Sequence, residues 1–139
     1  MKSRIIIIVV VVCMIAGILY LQYGRDVEVT STMNTALGNR YEMDLTLVVN
    51  RLIITDWEQY AKELIQRCID NNFHEVRFSY DMMGYPNGLR IRVYLNKLCE
   101  QSFLFCYRVK TESSPDYNIE DNPDKVEVFI DNEYNNMRK

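Results

Sequence analysis

Residues 55–72, TDWEQYAKELIQRCIDNN, carry the reading on which the fold turns. Thr55 and Glu58 have the spacing of a capping box, in which the hydroxyl accepts from an early helix N–H and the carboxylate reaches back to the cap. Trp57, Tyr60, Ala61, Leu64, Ile65, Cys68 and Ile69 then recur at helical spacing and form one apolar stripe. Glu58, Lys62, Glu63, Gln66 and Asp70 fall off the stripe. The pairs Glu58–Lys62 and Glu63–Arg67 add a little support at i,i+4. Asn71 and Asn72 supply a left-handed stop, with Phe73 placed to close over it. The pattern predicts a helix over 56–71.

The flanking segments alternate instead. Met43, Leu45, Leu47 and Val49 share one face of a strand, with Asp44, Thr46 and Asn50 on the other. After the helix, Val76, Phe78 and Tyr80 alternate with Glu75, Arg77 and Ser79. A turn follows at Met83–Gly88, where Pro86 presets φ and Gly88 is free to turn positive. Leu89, Ile91, Val93 and Leu95 then alternate with Arg90, Arg92 and Tyr94, so 76–80 and 89–95 read as an antiparallel hairpin. Phe103, Phe105, Tyr107 and Val109 predict another strand, and Val126, Val128 and Ile130 a short last one. Residues 96–102 read as a turn or one helical turn, and 112–124 as a polar loop.

One helix cannot cover both faces of a sheet, and alternating strands suit a sheet with one wet face. The expected fold is therefore α+β. A single amphipathic helix packs on a mainly antiparallel sheet of four to six strands. Trp57, Tyr60, Leu64 and Cys68 should meet Leu47, Val76, Phe78, Ile91, Val93 and Phe105. The domain spans 41–131. Residues 25–40 form a linker or a short first strand, and 132–139 a frayed C-terminus. No internal repeat is present.

Residues 1–24 have a different character. Ile5–Gly24 gives twenty positions without a charge. A bilayer-spanning helix needs about 20 apolar residues. A cleaved leader has a shorter apolar core, of about 7–15 residues, ending at small side chains. Here the run ends in Leu19-Tyr20-Leu21-Gln22-Tyr23, which is bulky, and Cys13 follows three valines. Residues 5–24 therefore read as an uncleaved anchor in the lipid bilayer, the alternatives being a cleaved leader with a secreted product and a buried core segment. Lys2 and Arg4 precede the run, and Arg25 follows it beside Asp26 and Glu28. This bias places the N-terminus in the cytoplasm and the domain outside.

Chemistry-bearing motifs are scarce. Residues 25–139 hold 14 basic and 19 acidic side chains, a balance unlike that of a general nucleic-acid binder. Cys68, His74, Cys99 and Cys106 are separated by five, 24 and six residues, not by the close pairs of a structural zinc site. Asp116, Asn118, Glu120, Asn122, Asp124 and Glu127 imitate a calcium loop. Asp121, however, stands where the turn needs glycine. No phosphate-binding or nucleophile motif occurs, and no catalytic residue, metal or cofactor is assigned. Cys99 and Cys106 can form a disulfide if they flank a turn.

One pattern stands out. Arg77, Arg90, Arg92, Arg108 and Lys110 occupy the non-core positions of three successive predicted strands, with Tyr94 among them. If those strands are neighbours, the wet face carries a basic stripe. Three readings are open: cross-strand acids balance it, the acidic segment 112–133 folds over it, or it docks an anionic envelope polymer, lipid headgroups or an acidic protein. The sequence does not specify a function. The expected role is a membrane-anchored, extracytoplasmic binding or accessory module of an envelope assembly. The rival is a small-ligand or polymer binder, or a small enzyme, with a pocket between helix and sheet.

Overall fold

The computed structural model describes residues 1–102 and 106–131. It opens on α1, Lys2–Tyr23, which is apolar all round and has no residue buried against the rest of the chain. Twenty-two residues at about 1.5 Å each rise about 33 Å. By length and composition this helix is apolar enough to cross a membrane. It is not a core helix of the domain, which removes one of the three alternatives.

Five strands follow in a sheet whose spatial order matches chain order. They are β1 (Glu28–Leu37), β2 (Arg40–Val48), β3 (Gly88–Tyr94), β4 (Cys106–Thr111) and β5 (Val126–Asp131). β1 and β2 form a hairpin closed by Gly38-Asn39, with Leu37 opposite Arg40. Gly38 has φ 62°, the positive value that the first position of a II′ turn requires. β1 is an edge of the sheet, longer than a short first strand. Val29–Leu37 carries no charge, and residues 30–37 are exposed.

β2 and β3 run parallel, from Glu42 opposite Gly88 to Val48 opposite Tyr94. A parallel pair needs a long crossover, and α2 (Trp57–Ile69) supplies it. The helix starts one residue later than the Thr55 box implies. Asp56 is its cap, and its carboxylate accepts from the Gln59 N–H at 3.0 Å. Its end matches the expectation. Asn71 has φ 55°, the Asn72 N–H donates to Arg67 O, and the Asn71 N–H to Cys68 O, the paired bonds of a Schellman stop.

The predicted hairpin of 76–80 with 89–95 is not formed. Phe78 is buried as expected, but its backbone pairs with a side chain. The Asn71 amide donates to Phe78 O at 2.8 Å, and Asn71 Oδ1 accepts from the Phe78 N–H at 2.7 Å. The chain then makes a short helix, α3 (Tyr80–Met83). Arg77 therefore lies in a loop and not on a strand. The sheet is mixed, and α2 is not its only helix. A fourth, α4 (Lys97–Gln101), is capped by Asn96.

The core lies between α2 and the sheet. Met43, Leu47, Leu64, Ile65, Cys68, Leu89, Ile91 and Val93 are all within 1 % of complete burial. Trp57 stacks on Tyr107 with ring centroids 3.5 Å apart, and Val76 packs at the margin. Phe103 and Phe105, and the tail 132–139, lie outside the described residues. The loop 112–125 is less solvated than its composition implies, because Tyr117 and Ile119 are buried in the same core. Asn87 fixes this loop to β2. Its Oδ1 accepts from the Tyr41 N–H, and its amide donates to the carbonyls of Pro115 and Tyr117.

Candidate functional site: a basic trough on the open sheet face

Side chains alternate across a sheet, so the even-numbered residues of β3 and β4 face away from the α2 core. Arg90 stands opposite Lys110, and Arg92 opposite Arg108. Like charges directly opposite each other destabilise a sheet. These four cations, with Asp44, Ile91 and Val109, line a trough of about 370 Å³. Four of its seven lining side chains are cationic and one is a carboxylate, although the chain outside α1 is net acidic.

The two ends of the trough differ. Arg90 is held on β2: its Nε donates to Asp44 at 2.6 Å, and its Nη2 lies 3.4 Å from Glu42. These bonds raise the Arg90 pKa, the Asp44 hydrogen bond foremost. Arg92 and Lys110 have no carboxylate within ion-pair distance among the described residues. Glu127 on β5 sits opposite Lys110 in register. The acidic loop reaches β2 through Ser113, whose hydroxyl donates to Glu42 at 2.6 Å, while Glu112 pairs with Lys125 within the loop at 3.3 Å. Cross-strand balancing therefore accounts for Arg90 and leaves Arg92 and Lys110 uncovered by described acids.

The remaining candidates divide. Arg77 is exposed in the loop before α3, away from the strands that build the trough. Tyr94 has the right parity but is 2 % exposed. It packs with Val48 and Cys106, and Cys99 of α4 lies against that group. Cys99 and Cys106 thus lie in one small cluster without a disulfide between them, Cys106 buried and Cys99 half-buried. Cys68 is buried too, and loss of solvent pushes its thiol up to about 12, which disfavours the reactive thiolate. Among the described residues, no three His, Cys, Asp or Glu side chains converge in a way that would hold a metal ion.

Two carboxylates give the domain an acid sensitivity. The Ser113 hydroxyl, then Arg40 and Arg90, hold Glu42 below its ordinary 4.5, against the opposing effect of burial. The Arg67 guanidinium does the same for Asp26, below 3.8. A depressed carboxylate contributes stability above its unfolded pKa and loses it as pH falls through the folded value. The thermal midpoint should therefore decline as the protein is acidified below that range. Both groups are partly solvated, so the effect is modest. A Glu42→Gln/Asp26→Asn chain should show a shallower decline. An identical acid slope would remove these two pairs from the account.

Sequence reasoning found four trough cations through strand parity. It missed Asp44 and Glu42 as their partners, because the parallel neighbour of β3 was not legible. Compared with known proteins, the chain has no significant match to any family model, curated sequence or solved structure.

Proposed function

We propose that this chain is a single-pass membrane protein. In this reading α1 is the anchor, the N-terminus is cytoplasmic, and the α+β domain works outside the membrane by binding an anionic partner along the β3–β4 trough. The partner class is an acidic protein surface or an anionic envelope polymer. The observation that carries the binding role is that Arg92 and Lys110 stand exposed on the open face of β3 and β4 with no described carboxylate within ion-pair distance. Such cations offer an anion a ready site. Lys2 and Arg4 before α1, against Arg25 beside Asp26 and Glu28 after it, support the orientation. The space between α2 and the sheet is filled by side chains, which favours surface recognition over an enclosed ligand pocket.

The test is charge reversal at the two cations without a described acid. Arg92→Glu with Lys110→Glu removes two like-charge contacts but sets a glutamate opposite Glu127, so the thermal midpoint should move little. The same change should abolish retention of the detergent-extracted chain on a polyglutamate matrix and lose what mild crosslinking captures from cells. Wild-type retention should weaken with salt, as exposed charges are screened beyond about 8–10 Å at physiological ionic strength. Unchanged retention and unchanged capture would leave the trough without this role.

A further inference from the structure

Among the described residues after α1, seven large apolar side chains are exposed: Met33, Leu37, Leu52, Ile53, Met82, Met83 and Leu98. Leu52 and Ile53, 49 % and 63 % exposed, differ from the others in where they sit. They flank the exit turn of α1. With Ile18, Leu19, Gln22 and Tyr23 they wall a cleft of about 640 Å³. Gln22 holds them there with three bonds. Its Oε1 accepts from the N–H groups of Leu52 and Ile53 at 3.0 and 3.1 Å, and its Nε2 donates to Ile53 O at 2.7 Å. These bonds satisfy loop backbone that would otherwise need water, the condition for polar backbone to approach an apolar phase.

The surroundings suit the boundary between acyl chains and headgroups. Tyr20 and Tyr23 are exposed on the last turns of α1, where aromatic side chains with a polar tip favour an interface. The Arg51 guanidinium lies 4.5 Å from the Tyr60 ring and 6.0 Å from that of Tyr23. Arg25 is at the same level, reaching back to Leu21 O. Of the nearby acids, Asp26 is tied to Arg67 and Asp56 to the start of α2, while Glu63 lines the cleft. The chain leaving α1 is held again by the Asn50 amide, which donates to Asp26 O at 3.0 Å.

We propose that Leu52 and Ile53 form a second membrane contact, inserting into the outer interface of the bilayer beside α1 while Arg51 reaches headgroup phosphate. The contact rests on the anchor reading above. It seats the domain against the membrane in one orientation. A bare tether would let it swing.

The test uses the full chain in phosphatidylcholine vesicles doped with phosphatidylglycerol. Cys13→Ser and Cys99→Ser remove the accessible native thiols, since Cys68 and Cys106 are fully buried. Nitroxide labels go singly on Leu52→Cys, Ile53→Cys, Val12→Cys within α1, and Leu98→Cys on α4. Collision with oxygen, which partitions into lipid, is compared with collision with a water-soluble nickel chelate. Labels at 52, 53 and 12 should favour oxygen several-fold over the label at 98. If the label at 12 favours oxygen while those at 52 and 53 favour nickel, the second contact is wrong and the anchor stands. If the label at 12 favours nickel, the anchor reading fails and this contact with it. Labels at 52 and 53 shielded from both reagents would mean that protein, such as a second copy, covers the loop, and would overturn lipid as its occupant.

Discussion

A Val9→Asp/Val12→Asp chain is expected to appear in the soluble fraction under conditions where the unmodified chain sediments with membranes and resists carbonate extraction. Twelve Leu, Ile and Val residues lie within α1. At about −0.3 to −0.6 kcal/mol each, they favour insertion by about 4–7 kcal/mol. Each Asp near the middle of a span opposes it by about 2.5–3.5 kcal/mol, so two bring the balance close to zero. Val9 and Val12 are both more than half exposed in the isolated chain, so the substitutions disturb no packing in the domain. The N-terminal mass of the unmodified protein separates anchor from leader: an intact Lys2–Tyr23 segment is expected, and a mature start beyond Gly24 would replace anchoring with secretion. Sedimentation of the double variant with membranes would sink the anchor.

Leu64→Ala should cost the domain about 2–5 kcal/mol, through lost transfer free energy and a cavity that the surroundings cannot fill. Leu64 is 1 % exposed. It stands midway along the inner face of α2, between Tyr60 and Cys68, in the same core cluster as the sheet residues Met43, Leu47, Ile91 and Val93. For a domain of this size each kcal/mol lowers the melting temperature by about 4–8 °C, so a fall of at least about 8 °C is expected. Glu63→Ala, at the exposed neighbour, should stay within about 0.5 kcal/mol of the parent. Trp57 fluorescence follows the transition, because its ring is stacked on Tyr107. A loss below about 1 kcal/mol would mean that this face of α2 does not close the core.

Local pattern made α2 legible because its apolar stripe, polar back and Asn71 stop all agree. The strands β2 and β3 were equally plain, since Leu45, Leu47, Ile91 and Val93 alternate with polar residues and are buried. Their adjacency was not legible. That β2 and β3 lie side by side and parallel is a fact about distant residues, and no period reports it. The segment 76–80 shows a different limit. Its alternation is real in burial, but a period of two does not say whether a strand or the Asn71 carboxamide satisfies the Phe78 backbone. Tyr117 and Ile119 were hidden by acidic neighbours, and Tyr94 by parity, which assigns a face but not what covers it. The trough was half legible. Arg90, Arg92, Arg108 and Lys110 followed from parity, whereas Arg77 fell away with its strand and Asp44 entered with the parallel pairing.

The outer rail of β1 has a practical consequence. From Ser31 to Leu37, beyond an irregularity at Thr30, it offers seven residues with no charge and no proline, in continuous register with β2. Natural sheets blunt such rims with lysine, proline or a bulge, because open N–H and C=O groups recruit further strands. Copies concentrated by detergent removal would meet rim to rim, so a lysine introduced at Thr32 is the change that would keep preparations dispersed.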